Sequence, residues 1–554
     1  MTFLLFIPEW FFLFFLGISV FVTLSTSRFR DAQRLELKKN FFFLCRYLVS
    51  LLVVTLGLSV IAYPSIVEPW PLGSFHEIEL VFINDYEYLL NSAYLRLDDF
   101  VIFVLHLITF VFFIYFVLIV KLFKQTSIAV FLRHLQEVPL LLGLLFLSLR
   151  ILLLTIDSLL LLLSIEVATF LTITLMALHL MNFRGNLFVL EGAIKYFLFN
   201  SIAVFFFLFG ICGYFFAFGN FNFIDYALSY EAIDYYLKPP IQLFSLFQTC
   251  LFIGFLIKVG GAPFHQWIPD VYEGVELILT FLLISLISPV LMFKFFILVK
   301  LLVPVTPLTT SNGLLFSSGL ITFFIGVFGA YRQFRIKRFL AYTGFVHLGF
   351  MLFGVAVGNF MGIFSAFFYL LFYLFTNIVM FSILTIYWSL TSRRSFFLNQ
   401  LKYMINLSLL YLLFSVSLLS YIGVPPFAGF FNKIFILLSL LDRMNSFMVI
   451  CFVVGLSVSA YLYLRFFKLS LFEAQAGINL FIGLQTKTQE QRLRYHHQRI
   501  LLALFCPTRL NDNFKNYLAF LFFLCCFLSF ILVFFPVLVK LMFLHPLLTI
   551  FLFY

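Results

Sequence analysis

The sequence predicts an all-α, polytopic membrane protein of about fourteen transmembrane helices, with the seventh and twelfth broken near their middles. Three observations carry this reading. Of 554 residues, 63% are hydrophobic and 11% charged, and the mean hydropathy is +1.11, whereas soluble domains are roughly one quarter charged. Apolar runs long enough to cross about 30 Å of hydrocarbon recur along the chain. Two of these runs are interrupted by glycine and proline close to a lysine.

The first six runs cover 4–25, 41–63, 99–122, 138–155, 157–181 and 192–217. The next four cover 242–268, 275–302, 313–331 and 338–357, and the last four 360–388, 405–441, 446–468 and 514–541. Loop charge supports the count. One set of alternate loops carries Arg28, Arg30, Arg34, Lys38 and Lys39, then Arg332, Arg335, Lys337 and Arg338, then Arg393, Arg394 and Lys402, and finally Lys487, Arg492, Arg494 and Arg499. The other set holds little beyond Arg96, Lys238, Lys300 and Arg443. Basic residues concentrate on the inner side of a membrane, so this alternation puts both termini on the outer side. The same distribution explains the net charge of +11 without nucleic acid as a partner.

In the seventh run, Lys258 precedes Gly260, Gly261 and Pro263; in the twelfth, Gly423, Pro425, Pro426 and Gly429 precede Lys433. Proline lacks an amide proton and glycine disfavours helix, so neither run can stay a continuous helix. Backbone freed this way in hydrocarbon is tolerated only where protein or a water-filled cavity satisfies it. A charged residue beside such a break is a candidate ion site, and its recurrence in two halves points to an internal repeat. The bland reading is a proline kink with a lysine snorkelling to the interface.

Ionisable residues inside the other runs add to the set. Glu166 lies nine residues after Asp157, a helical rise of about 13 Å that takes it near the bilayer centre. A carboxylate there needs a proton or a cation, and Lys258 is the natural partner by charge. His347, in the tenth run, is either a satisfied core residue or a proton relay, since imidazole titrates near neutrality. Arg150, His106, His179 and Arg465 read as packing or interface anchors.

Other chemistries find no support in the residues. The seven cysteines, at 45, 212, 250, 451, 506, 525 and 526, form no C-x-x-C pair, which argues against iron–sulfur, zinc and disulfide frameworks. No Gly-rich dinucleotide fingerprint or phosphate loop follows a strand pattern. The opening MTFLLFIPEWFFLFF lacks a basic leader and reads as a retained first helix. The 86 phenylalanines suit a lipid-facing filler and an AT-rich coding genome. Segment 473–513 mixes basic and apolar residues, and reads equally as a helix lying on the membrane surface or a solvated loop.

Several of these stretches resemble a known family. KVGGAPFHQWIPDVYEG resembles the seventh-helix signature of subunit 2 of respiratory NADH:ubiquinone oxidoreductase (complex I), subunit N in bacteria. RQFRIKRFLAYTGFVHLG and GVPPFAGFFNK resemble its tenth- and twelfth-helix motifs, LLLTIDSLLLLLSIEVATFL its fifth helix and EGAIKYFLFNS its sixth. PDVYEG and the lysine of GFFNK favour subunit 2 over the paralogous subunits 4 and 5 and the Mrp-type antiporters.

The resemblance implies two inverted five-helix repeats, 138–302 (helices 4 to 8) and 313–472 (helices 9 to 13), after an N-terminal region 1–137 with an acidic outer loop. A basic loop, helix and tail would occupy 473–554. It implies a proton pathway with Glu166 and Lys258 as the coupling pair, His347 as relay and Lys433 as outlet. It also implies a membrane-arm subunit of a proton-translocating NADH:ubiquinone reductase in the mitochondrial inner membrane, without a redox centre of its own: no cofactor would sit in this chain, and FMN, iron–sulfur clusters and ubiquinone would belong to other subunits. Subunit 4, small membrane-arm subunits, accessory subunits and phospholipids including cardiolipin would be its partners. A stand-alone Mrp-type antiporter subunit and a structural membrane scaffold are the alternatives.

One departure stands out. The family's eighth helix usually carries a central lysine in a pattern similar to S-x-x-P-K or S-x-x-S-K, and here the stretch reads SLISPVLMFK. Pro289 or Val290 takes the expected place, with Lys294 four or five residues later. The connecting lysine is therefore either displaced to Lys294 or absent.

Overall fold

The computed structural model describes residues 99–125, 137–182, 187–223, 226, 241–302, 310–391, 408–425, 427–442 and 446–471. Helix dominates them, and the one extended pairing among them is an isolated antiparallel bridge between Asp157 and Asn222. The helices are α1 (Asp99–Gln125), α2 (Glu137–Leu154), α3 (Ser158–Asn182), α4 (Leu187–Phe218), α5 (Ile241–Val259), α6 (Trp267–Gly274) and α7 (Leu277–Leu282). A π-helical turn, Leu283–Ile287, joins α7 to α8 (Ser288–Leu302). Then come α9 (Thr310–Arg332), α10 (Ile336–Ala356), α11 (Phe360–Thr391), α12 (Ser408–Ile422), α13 (Ala428–Asp442) and α14 (Ser446–Leu471).

Each expected run from 99–122 to 446–468 holds a helix. Runs 4–25, 41–63 and 514–541, the outer loop 64–98 and the basic connection 473–513 lie outside the described residues. Among the described residues, eight helices are long and apolar enough to cross a membrane: α2, α3, α4, the α7–α8 unit, α9, α10, α11 and α14. Large apolar side chains on α4, such as Phe188, Phe205 and Phe216, stay exposed, as expected of a face turned to hydrocarbon.

The described residues up to Thr322, with Gly354–Phe367, form one compact unit; Phe323–Phe353 and the described residues from Phe368 onward form a second. In the first, α4 packs along α5 and α6, α2 packs on α3, and α8 lies against α5 and α2. Phenylalanine fills the contacts edge to face: Phe207 meets Phe255 at 4.9 Å and Phe252 meets Phe295 at 5.4 Å between ring centroids. In the second, α12, α13 and α14 pack together, and Phe350 of α10 touches Phe323 of α9 and Phe452 of α14 at 5.1 and 5.3 Å.

Both expected breaks are present, and both are built the same way. At the end of α5, Gly260 has φ 84°, a left-handed conformation that glycine adopts without penalty. Its N–H reaches Ile257 O at 3.2 Å, and the N–H of Gly261 reaches Leu256 O at 2.6 Å. That is a Schellman cap, which satisfies carbonyls at a helix end. The indole of Trp267, at the start of α6, also donates to Ile257 O at 3.3 Å. At the end of α12, Gly423 has φ 81°, and the N–H groups of Gly423 and Val424 both reach Leu419 O, at 3.1 and 3.4 Å.

The second break depends on close backbone approach. A Cβ at Gly429 of α13 would fall onto the Ser420 carbonyl of α12. Gly429→Val should therefore lower stability by about 1–3 kcal/mol or more, read as the thermal unfolding midpoint in detergent. Gly313→Ala, where a Cβ meets nothing within 4 Å, should stay within about 0.5 kcal/mol of the parent.

Candidate functional site

Each compact unit gathers its own polar cluster. In the first, Lys258 occupies the last turn of α5, just before the Gly260 cap. Its side chain is 1% exposed, and Nζ donates to Oε1 of Glu166 on α3 at 3.2 Å; the glutamate side chain is 23% exposed. The predicted pair is thus an ion pair, and the helix break is what leaves Lys258 at a helix end facing α3. Below Glu166 on α3, Thr172 donates to the phenol oxygen of Tyr196 at 3.1 Å, and Tyr196 packs edge-on against Trp267.

A second ion cluster in this unit escaped the sequence reading. Lys195 of α4 bridges Glu191, one turn earlier, at 2.6 Å and Asp270 of α6 at 2.5 Å. It ties the segment after the break to α4, where a Cβ at Gly192 would come within 3.2 Å of the Val271 backbone. The spacing Glu191 to Lys195 was readable as an i,i+4 pair; the contact with Asp270, 75 residues away, was not.

Lys294 on α8 is buried at 3% exposure and donates to the carbonyl of Thr155, directly after α2.

In the second unit, Lys433 lies on α13, after the break, and reaches back to the end of α12. Its ammonium donates to Ile422 O at 2.6 Å and Tyr421 O at 3.1 Å, and lies 5.8 Å from the centre of the Phe350 ring. Helix-end carbonyls carry partial negative charge, so a cation is favoured there.

His347 of α10 sits within a cage of four tyrosines. Tyr369 OH lies 2.8 Å from its Nδ1 and Tyr463 OH 2.7 Å from its Nε2. The rings of Tyr373 and Tyr421 approach to 4.7 and 5.1 Å between centroids, and Tyr421 OH donates to Asn377 Oδ1 at 2.7 Å. A neutral imidazole donates from one nitrogen and accepts at the other. Tyr369, His347 and Tyr463 therefore form one hydrogen-bonded chain whose direction reverses with the tautomer.

A cavity of about 20 Å³, large enough for about one water, joins the lysine to this cage: His347, Tyr369, Tyr373, Tyr421, Asn432 and Lys433 all line it. The buried Oδ1 of Asn432 has no hydrogen-bond partner. Sequence reasoning found His347 and Lys433 and missed the tyrosines. A signal was available on α11, where Tyr369, Tyr373, Thr376 and Asn377 form a polar stripe at helical spacing in an otherwise apolar run.

Long apolar helices, two of them interrupted and each interruption next to a buried lysine, define a multi-pass membrane protein with discontinuous helices. The comparisons carry this further. The chain belongs to the NADH:quinone oxidoreductase/Mrp antiporter transmembrane family, whose model matches residues 155–459. It is 35% identical over 232 residues to NADH-ubiquinone oxidoreductase chain 2 of Rhizopus oryzae, an alignment covering 40% of this chain and 44% of that one. The match thus spans less than half of that relative. In fold it is similar to a chain of respiratory complex I from Thermus thermophilus, with a TM-score of 0.59 and 22% identity over 79% of this chain and 88% of that one. A chain of the Mrp complex from Dietzia sp. gives a TM-score of 0.62 and 17% identity over 84% of this chain and 80% of that one.

The ion pair is testable by a double-mutant cycle. Lys258→Met leaves the Glu166 carboxylate without its cation and should destabilise more than the Glu166→Gln/Lys258→Met double variant. The coupling energy from thermal unfolding should be about 1–3 kcal/mol.

Proposed function

We propose that this chain is a proton-translocating membrane-arm subunit of complex I, set in the mitochondrial inner membrane. The observation that carries the reading is the recurrence, in one chain, of a buried lysine at each of two capped helix breaks. The family match supports it, as does the kinship with a chain 2 sequence. The resemblance of 138–302 and 313–472 to two inverted repeats fits the two breaks. Electron transfer through FMN, iron–sulfur clusters and ubiquinone belongs to other subunits in this proposal. Its neighbours would be subunit 4, small membrane-arm and accessory subunits, and phospholipids such as cardiolipin.

The chemistry follows from the two clusters. An ammonium beside a carboxylate keeps its proton, whereas one left alone in a low dielectric tends to release it. A change in the Glu166–Lys258 separation, driven by the redox reaction elsewhere in the complex, would switch Lys258 between those conditions. Coupling of this kind requires two states that the redox event biases differently. In the second unit, carbonyls solvate Lys433 without neutralising it, and the cavity offers its proton a path to the imidazole and phenols. His347 passes a proton by exchanging tautomers between Tyr369 and Tyr463, so it need not hold a charge. Glu166, Lys258, His347 and Lys433 are the residues assigned to the pathway.

The likeness to an Mrp complex chain favours one second reading, a cation/proton antiporter subunit without redox partners. Co-purification with flavin and iron–sulfur subunits supports complex I; a small complex lacking them supports the antiporter.

In the assembled complex in proteoliposomes, Lys433→Ala and Lys433→Arg should both lower protons moved per electron, because arginine keeps the charge but does not deprotonate. Tyr463→Phe, which removes one end of the imidazole chain, should lower the same ratio. Unchanged pumping in Lys433→Ala, with normal assembly, would mean a scaffold.

A further inference from the structure

Beside Lys433, unmatched hydrogen-bonding groups face one small space. A lysine ammonium has three N–H donors, and two of these go to Ile422 O at 2.6 Å and Tyr421 O at 3.1 Å. Among the described residues no third acceptor is bonded to it. The preceding residue on α13, Asn432, is 3% exposed, and its buried Oδ1 has no hydrogen-bond partner. An amide oxygen buried without a donor is costly, so this one calls for a donor that the surrounding side chains do not supply.

Both residues line the same cavity. Successive helical positions point about 100° apart, so the cavity straddles the edge between their two faces of α13. Across it, α11 brings Tyr369 and Tyr373, and α10 brings His347. A space of about 20 Å³ admits about one water, and a buried water needs a few polar partners. Three kinds are present: an ammonium that donates, an amide oxygen that accepts, and phenols that do either.

The imidazole itself has no position left for that water. Tyr369 takes its Nδ1 at 2.8 Å and Tyr463 its Nε2 at 2.7 Å, and each nitrogen of a neutral imidazole either donates or accepts once. A phenol oxygen both donates and accepts, so Tyr369 can hold His347 and a water together. The connection from Lys433 to the imidazole therefore enters through the Tyr369 phenol.

We propose that this cavity is a site for one ordered water, fixed by Asn432 between the Lys433 ammonium and the Tyr369 phenol, and that Asn432 is a positioning residue for proton exchange between that lysine and the Tyr369–His347–Tyr463 chain. The water site stands on geometry; its part in proton movement rests on the pathway role given to Lys433 above. As Nζ gives a proton to the water, the water gives one to the Tyr369 oxygen, Tyr369 one to Nδ1, Nε2 one to Tyr463, and Tyr463 one to a water at the far end of the chain. Each O–H or N–H bond that breaks is matched by one that forms, and Lys433 is left a neutral amine. The same exchanges in reverse reload it.

The test is a map of the parent assembled complex at a resolution that shows waters, with protons moved per electron measured in proteoliposomes for Asn432→Leu, Asn432→Ser and Lys433→Ala. The map should show one water within hydrogen-bonding distance of both the Asn432 amide and Lys433 Nζ. Asn432→Leu keeps a side chain of similar size without the acceptor, and should lower the ratio toward the Lys433→Ala level with NADH oxidation intact. Asn432→Ser, whose hydroxyl can still hold the water, should pump as the parent does. A role in packing alone would not be restored by so much smaller a side chain.

A parent map in which protein groups fill the cavity, or in which a protein donor takes Asn432 Oδ1, would overturn the water site. Parent-level pumping in Asn432→Leu, or an equal loss in the Leu and Ser variants, would overturn the positioning role. Should Lys433→Ala pump normally, the pathway reading fails instead, and the parent map still decides the water site. Should Asn432→Leu not assemble, Asn432→Ser decides with the map: an unchanged ratio beside an ordered water supports the proposal, and a lowered ratio overturns it.

Discussion

A peptide carbonyl at a helix end inside an apolar protein must find a donor, and most of the polar structure here answers that requirement. The last turn of any helix leaves carbonyls without intrahelical partners, and no bulk water reaches them in hydrocarbon. Three buried ends among the described residues show how the requirement is met. At α5, glycine amides and the Trp267 indole supply the donors, which frees Lys258 to face Glu166. At α12, glycine caps one carbonyl and Lys433 takes two more. At the end of α2, Lys294 does so from a different helix. A lysine spent on a carbonyl and a lysine spent on a carboxylate are chemically different groups, although the sequence writes both with one letter.

The apolar packing sharpens that difference. With 86 phenylalanines in the chain, the core is rich in packed aromatic rings among aliphatic side chains, and such an interior screens charge poorly. Among the described residues, buried polar side chains gather into small clusters within it. In the second unit, tyrosine supplies most of that polarity: a phenol brings a donor and an acceptor on an aromatic body that still packs with phenylalanine. Tyr421 both stacks at 5.7 Å on Tyr463 and donates to Asn377. The cage thus remains part of the core while offering His347 a partner on each nitrogen.

Features that depend on neighbours in the chain were legible, and those that depend on three-dimensional company were not. Span length and hydropathy located the helices between 99 and 468, because a membrane imposes length on each segment independently. Gly260, Pro263, Gly423 and Pro425 announced the breaks, since backbone preference is local. The Glu166–Lys258 pair was legible because a carboxylate and an ammonium placed in hydrocarbon each demand a partner, leaving few choices. Tyrosine makes no such demand, so Tyr463 and Tyr421 looked like ordinary members of apolar runs. The bridge from Asp157 to Asn222 and the contact from Lys195 to Asp270 join segments with no pattern in common, and Thr155 gave no sign that its carbonyl would receive Lys294.

The two breaks share a fold of backbone but place their lysines on opposite halves, and this changes what each can do. Lys258 precedes its break, at the end of a half-helix whose carbonyls are capped by other groups, so its charge is balanced by a carboxylate that can itself move or take up a proton. Lys433 follows its break and is held by carbonyls, which are dipoles and carry no net charge to surrender. The first arrangement responds to a shift in the position of α3; the second responds to whatever changes the hydrogen bonds around the cavity beside His347. In the pathway proposed above, built from both, there would be two kinds of control point: the first would be governed by the separation of a charge pair, the second by whether a proton on Lys433 finds a hydrogen-bonded chain in which to leave.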